Sequence, residues 1–420
     1  MRIAVASFGS EGDIRPLLAF ARGLRRAGHD AWFVGSPFFA PRAEEAGVPL
    51  RPAGPPVLKE EFQRMTRDIG LKMTAHRNPL RQTQILFNTV MPELSAAIPY
   101  QLEATRDADV LVHSSLDVSA FIAALAHDTP RVSVHLFHGF LPSRNAMPDG
   151  VNLGRFLNPL LGRLALRLIS RMTDDVFTPL FAAAGLPRHR DTLVTSGRSP
   201  LLNLLPVSPT FVPPDPLWQG RVVQTGYWFL DMPHFEPDPE LAAFLAAGEP
   251  PLVISFGSMV NADPRRTTAL LCEAVKRVGC RALIQAGWAG LGEGPLPPNV
   301  RRIDFVPHDW LFPRASGVIH HGGAGTTAAV LRADIPQAVV WHLGDQPAWG
   351  KLLHKRGLAP AAPLWQGALN VGWLTRVMRA LRSDPGLRGQ AATVGARIRQ
   401  EEGVRQAVTA LEASLPTATS

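Results

Sequence analysis

The stretch Ile319-His320-His321-Gly322-Gly323-Ala324-Gly325-Thr326-Thr327 assembles what is needed to hold a diphosphate. Glycines let backbone N–H groups approach an anion, an imidazole adds a donor, and a helix start behind them adds its dipole. Downstream, Gly344-Asp345-Gln346-Pro347 offers a carboxylate and an amide that can accept from and donate to sugar hydroxyls. Together the two segments imply a sugar-nucleotide site. His321 is the expected phosphate donor, and His320 is expected to be structural. Taken alone, a Gly-rich turn also serves ordinary tight turns, and Asp345-Gln346 before a proline also reads as a polar turn. Gly257-Ser258 could add a backbone N–H and a hydroxyl to the diphosphate, or be an ordinary strand-to-helix turn.

Moving a sugar onto a hydroxyl needs a base for the hydroxyl proton. Asp13, in Gly9-Ser10-Glu11-Gly12-Asp13, is the candidate; an Asp ahead of a helix with Pro16 behind it is also a common helix-start signal. Asp117 is a candidate supporting carboxylate, with a helix N-terminal role as the competing reading. His135 and His138 are expected to line an acceptor pocket. No His/Cys cluster has metal-ligand spacing, so no metal site is expected. Residues 55–100 and 135–190 supply Phe62, Met65, Leu71, Met73, Leu86, Phe87, Phe137, Phe140, Phe156 and Leu157. This supply favours an apolar acceptor, although much of it must serve as core. Arg155–Arg171 is an Arg-rich helical stretch that reads as a solvated face or as a contact with an anionic membrane surface.

Positioning these groups requires alternating strands and helices. Strands are predicted at Ile3–Phe8, Ala31–Gly35, Asp109–His113 and Arg131–Leu136. Helices are predicted near Pro16–Ala27, at Pro41–Ala46 and at Val118–Ala126. Residues 55–105 read as helices and loops. Pro206, Pro209, Pro213, Pro214 and Pro216 then rule out helix or central strand and suggest a linker or surface crossing. Beyond them the rhythm restarts: strands at Leu252–Phe256, Ala282–Ala286, Val300–Phe305, Gly317–His320 and Ala338–Trp341, with a helix at Pro264–Val278. This pattern predicts two doubly wound parallel-sheet domains facing across a cleft, with ligands at the C-terminal strand ends. The expected domains are 1–213, for the acceptor, and 214–395, for the nucleotide-sugar donor. A helix at about 396–415 is expected to pack back on the first, and Leu415–Ser420 to fray.

Composition removes other classes. The chain has 420 residues, 46% hydrophobic and 19% charged, as in globular proteins of more than one domain. A net charge of +8 is spread over both halves without a basic run, so no nucleic-acid partner is expected. The two cysteines, Cys272 and Cys280, fit no metal or redox spacing and suggest a reducing compartment. No apolar stretch reaches spanning length and the first apolar run is too short for a signal peptide, so a cytoplasmic protein, monomer or homodimer, is expected.

The ordered set Gly9-Ser10-Glu11-Gly12-Asp13, Gly226-Tyr227-Trp228, Ser255-Phe256-Gly257-Ser258, Phe305-Val306-Pro307-His308, His320–Thr327 and Gly344–Trp349 resembles the GT-B, nucleotide-sugar-dependent glycosyltransferases, in particular their antibiotic and sterol branch. The resemblance covers nearly the whole chain. It implies an inverting, metal-independent transfer of a hexose from UDP-glucose or a dTDP-sugar to a hydroxyl of a polyketide, macrolide, sterol or similar acceptor, with no cofactor beyond the donor. Residue by residue it implies Phe305 stacked on the nucleobase, the Val306 backbone paired with it, and His308 near the base or ribose. Ser258, His321, Gly325 and Thr326 would hold the diphosphate and Asp345 and Gln346 the sugar, Ser10 and Gly323 would also be donor-binding, and Asp13 would act as the catalytic base. Asp107-Ala108-Asp109 superficially matches the metal pair of the other major glycosyltransferase fold, but it lies far from the donor motifs. Two other readings are a non-catalytic helper that binds sugar nucleotides and a cell-wall or lipid glycosyltransferase. Intact Asp13, His321, Asp345 and Gln346 argue against the helper, and Gly226-Tyr227-Trp228 favours the natural-product branch.

Overall fold

The computed structural model describes all residues except 57–58, 77, 146–150, 233, 288–289 and 416–420, and leaves out the side chains of 59–63, 79–80 and 83. The expected fraying of the tail and the Phe62 side chain therefore fall outside the described residues. The chain forms two compact units. One holds Met1–Ile69, Thr83–Leu230 and Glu401–Ser420; the other holds Gly70–Gln82 and Asp231–Gln400.

The first unit is built on β1 (Arg2–Ala6), β2 (Asp30–Gly35), β3 (Leu50–Pro52), β4 (Val110–Ser114), β5 (Arg131–Val134), β6 (Leu202–Leu205) and β7 (Val223–Gln224). They form one parallel sheet in the order β3-β2-β1-β4-β5-β6-β7. Strands such as Ile3-Ala4-Val5-Ala6 are apolar throughout because helices cover both faces. The Pro-rich run joins β6 to β7 inside this sheet. The division between the units accordingly falls after Leu230, where 213 was expected. Weak local signals hid β3, β6 and β7, since two to four residues carry no readable period.

The helix Gly403–Ser414 belongs to the first unit. Its Ala407, Val408 and Leu411 join the core around Leu17, Leu24 and Trp228. Close approach is what makes this possible: a Cβ on Gly403 would stand 2.5 Å from the Tyr227 carbonyl oxygen and 2.6 Å from that of Gly226.

The second unit repeats the plan with β8 (Leu252–Ser255), β9 (Ala282–Gln285), β10 (Val300–Ile303), β11 (Gly317–His320), β12 (Gln337–Trp341) and β13 (Leu364–Trp365). The order is β10-β9-β8-β11-β12-β13, all parallel. In each sheet the winding reverses once, between β1 and β4 and between β8 and β11. Such reversals leave a crevice at the C-terminal strand ends where ligands bind. Among the described residues no helix is long and apolar enough to cross a membrane.

Gly403→Ala is expected to cost about 1–3 kcal/mol, because the new methyl meets backbone that cannot swing aside. Chemical denaturation of the two proteins measures it.

Candidate active site

In the second unit the reversal point carries the glycine loop. His320 ends β11 opposite Ser255 of β8. Its ring is fully buried, with Nε2 at 2.8 Å from Gln337 Oε1, while Nδ1 accepts from the Gly322 N–H at 3.0 Å. His320 thus shapes the turn that follows it. Gly322 (φ 90°) turns where a side chain would strike Val339 and the Gln346 backbone.

His321 lies against backbone. A Cβ on Gly323 would come within 2.4 Å of its Nε2, and one on Gly257 within 3.1 Å of its Cε1. Burial pushes its imidazole down to about 4, against the opposing influence of the Ser255 carbonyl, so it is neutral near pH 7. Its Nδ1 has no hydrogen-bond partner among the described residues. Beyond it, Gly323 caps the nine-residue helix Ala324–Arg332 without any side-chain cap. Gly325 is exposed, and a Cβ there would meet nothing within 4 Å. Gly323, Gly325 and Thr326 therefore offer a helix N-terminus open to an anion. Gly257 (φ 58°) and Ser258 follow β8 beside it.

The flanking loops are tied to the same strand ends. Ser255 Oγ donates to Gln285 Oε1 (2.9 Å), and Gln285 Nε2 donates to the Val306 carbonyl (3.1 Å). Val306 is buried, and only its N–H stays outside hydrogen bonds to described residues. Phe305 beside it is 49% exposed, an aromatic face kept out of the core. The His308 ring stacks on Phe312 at 4.4 Å, in a one-turn helix His308–Leu311.

Asp345 and Gln346 are both engaged by groups of the protein. Asp345 is half-buried, and its Oδ2 accepts from the Trp349 indole N–H at 2.6 Å. Gln346 is buried; its Oε1 accepts from the N–H groups of His342 (2.7 Å) and Leu343 (3.0 Å), and its Nε2 faces Met259 Sδ at 3.1 Å. The amide expected on a sugar hydroxyl instead holds the loop that carries Asp345. Two further members had no readable signal. Gln82, 262 residues away in sequence, is buried, accepts from the Gly344 N–H (3.2 Å) and donates to the His76 carbonyl (2.7 Å). His342 is fully buried behind His321, with its Nδ1 3.0 Å from the Val340 carbonyl oxygen.

In the first unit Asp13 occupies the third position of the helix Glu11–Arg26, at the β1/β4 reversal. Its Oδ2 accepts from the Ser10 N–H (2.8 Å) and Ser10 Oγ (3.0 Å), leaving Oδ1 without a hydrogen bond to another described residue. Ser10 thus serves Asp13, where a donor contact was expected. A Cβ on Gly9 (φ 133°) would meet Asp13 Oδ2 at 2.4 Å, so only glycine admits the carboxylate here. Desolvation raises the Asp13 pKa above the usual carboxylate value, and the Ser10 hydrogen bonds partly offset it. Glu11 pairs with Arg42 (3.2 Å).

Asp117 is buried and caps Val118–Ala126, its Oδ1 accepting from Ser119 Oγ (2.6 Å) and the Ala120 N–H (3.0 Å). His135 is only 2% exposed and lies against Gly197, with neither ring nitrogen hydrogen-bonded to a described residue. His138, half-buried, starts the turn His138–Phe140 with its ring 5.0 Å from Phe137. Asp109 is held by the Arg2 backbone and guanidinium, and Asp107 by Arg51. Among the described residues no three His, Cys, Asp or Glu side chains form a metal-binding group. Met73 and Phe137 are core, whereas Phe156 and Leu157 are on the surface.

Two measurements follow from these contacts. Gln346→Leu leaves two loop N–H groups without their acceptor and is expected to lower stability by about 1–3 kcal/mol. Burial holds His113, His320 and His342 near 3, and His135, His138 and His321 near 4, all below the free value of 6.5. Above 6.5 both folded and unfolded chains carry them neutral; below it only the unfolded chain takes up protons. Stability should therefore fall as pH drops from about 6.5 to about 4, with the raised Asp13 and Asp117 acting in the opposite direction. Melting curves across that range check the sign.

Residues 281–403 match the family described as Erythromycin biosynthesis protein CIII-like, C-terminal domain. The chain is 30% identical over 437 residues to O-mycaminosyltylonolide 6-deoxyallosyltransferase of Streptomyces fradiae, covering 100% of this chain and 99% of that protein. It is 30% identical over 438 residues to a sterol 3-beta-glucosyltransferase of Arabidopsis thaliana, covering 100% of this chain and 66% of the longer plant protein. Among solved structures, the glycosyltransferase of kitacinnamycin superposes with a TM-score of 0.70 at 19% identity over 99% of both chains. A calicheamicin glycosyltransferase does so at 0.69 and 20% identity, over 100% of this chain and 99% of that one. These structures share the fold of two parallel-sheet units. With the Streptomyces fradiae enzyme matched almost end to end, the chain belongs to the GT-B nucleotide-sugar glycosyltransferases that include the antibiotic and sterol enzymes, and it is a hexosyltransferase.

Proposed function

We propose that the protein transfers a hexose from UDP-glucose or a dTDP-sugar to a hydroxyl of an apolar small molecule such as a polyketide, macrolide or sterol. Transfer proceeds in one inverting step without a metal ion. The observation that carries this reading is the open helix N-terminus at Gly323–Thr326 with neutral His321 packed beneath it. A leaving nucleoside diphosphate carries its negative charge to that point. The helix N–H groups, the dipole and an imidazole N–H supply the stabilisation a cation would otherwise give. Ser258 adds a hydroxyl, Phe305 a stacking face for the base, and the Val306 N–H a donor.

At the other reactant, Asp13 Oδ1 takes the acceptor proton as the acceptor oxygen attacks the anomeric carbon. The new C–O bond forms while the bond to the diphosphate breaks, and the electron pair leaves with the diphosphate. The raised Asp13 pKa makes it a stronger base than a free carboxylate. Asp345, steadied by Trp349, is the group that meets the sugar hydroxyls, and Gln346 and Gln82 keep its loop in place. The relatives named for O-mycaminosyltylonolide and for sterols support an apolar acceptor.

Calorimetric titration of metal-free protein with UDP, dTDP and GDP is expected to select one nucleotide, with binding weakened at least about tenfold in His321→Ala. Equal affinity in both proteins removes the phosphate assignment. Asp13→Asn is expected to lower turnover by about 10²–10⁴-fold with nucleotide binding unchanged. The acid limb of the wild-type pH–rate profile should vanish with it. Full turnover in that variant removes Asp13 as base, and loss of turnover on chelation removes the metal-free mechanism.

A further inference from the structure

Up to Asp174 the helix Leu157–Ala183 buries small and polar residues and exposes apolar ones, whereas Phe177, Leu180 and Phe181 in its last turns are core. Asn158, Gly162, Ser170, Thr173 and Asp174 face inward, while Phe156, Leu160, Leu164, Leu168 and Met172 are 56–77% exposed. Hydrogen bonds fix this orientation. Asn158 accepts from the Leu153 N–H (2.7 Å) and donates to the Arg144 carbonyl (2.9 Å). Ser170 Oγ accepts from the Leu193 N–H (3.0 Å), and Asp174 from the N–H groups of Asp191 (2.8 Å) and Thr192 (2.9 Å). Rotating the helix to bury its leucines would break all of them.

Arg163, Arg167 and Arg171 run along one edge of the leucine row at the same four-residue spacing. Arg171 reaches Asp191 at 3.4 Å, but Arg163 and Arg167 have no carboxylate partner among the described residues. Their charge adds to that of Arg198 and Arg221 nearby. Arg155 lies over the Phe156 ring at 5.1 Å. The exposed carboxylate at the far end, Asp175, is neutralised by Arg188 (2.5 Å). The exposed face is thus apolar and cationic.

We propose that this helix docks the protein on the surface of an anionic lipid bilayer. A four-residue spacing advances about 40° per step, so the apolar row fans across the helix instead of forming the narrow 3.5-residue seam of a coiled coil. A fan of apolar side chains edged by unpaired guanidinium groups matches a plane of acyl chains beneath anionic headgroups. The inference does not depend on which acceptor or nucleotide the enzyme uses.

The test is flotation of the full-length protein with phosphatidylcholine vesicles, with and without phosphatidylglycerol, alongside light scattering. The wild type is expected to float with the anionic vesicles and to be released by high salt. Arg163→Glu with Arg167→Glu should lower the bound fraction at least about tenfold, given about fivefold per arginine. Leu164→Ser with Leu168→Ser should abolish binding. These exposed positions should leave the melting temperature and nucleotide affinity unchanged. Wild type that stays in solution, or binding indifferent to both double variants, overturns the proposal. So does a dimer that fails to float and is dissolved by the leucine variant, which would assign the face to a second copy of the chain.

Discussion

The contact on which the donor half of the site depends is His321 against the bare backbone of Gly323 and Gly257. A side chain at either glycine would drive the imidazole away, by a hard collision at Gly323 and a tight one at Gly257. The ring is consequently held between the ends of β8 and β11, desolvated and neutral, at the root of an uncapped helix. A charged imidazole would be costly there, whereas a neutral one can still donate a hydrogen bond.

The first unit solves a similar problem with a similar device. Gly9 provides the space in which the Asp13 carboxylate folds back on Ser10, and the β1/β4 reversal corresponds to the β8/β11 reversal. One oxygen is anchored by two hydrogen bonds, which fixes the direction of the other. Partial burial then raises the basicity of a group that would otherwise be a weak base. Asp13 is therefore both a helix-start residue and the proposed base, so the two readings of its position are compatible.

Around these points the structure places polar groups whose task is to hold loops. Gln82 and Gln285 join groups from segments distant in sequence, Gln346 braces the loop just before it, and each is buried. Buried amides with satisfied partners rigidify, and an unsatisfied one would cost as much as it now contributes. This network ties the loops after β10 and β12 to neighbouring segments.

The strand–turn–helix units are legible in the order of residues alone, because buried parallel strands are continuously apolar and their helices carry a clear period. So are the glycine–histidine loop and the Gly9–Asp13 segment, since positive φ and close backbone contact leave few residue choices. Tertiary structure alone decided the rest. Short strands such as β6 and β7 gain their pairing from neighbours and not from a local pattern. Asp117 became a helix cap, and Gln346 a loop brace, because their partners stood close enough to claim them. Gln82 joined Gly344, and the last helix joined the first unit's core, through contacts between residues hundreds of positions apart. Local composition specifies which groups are present; burial and distant backbone decide which of them remain available to a substrate.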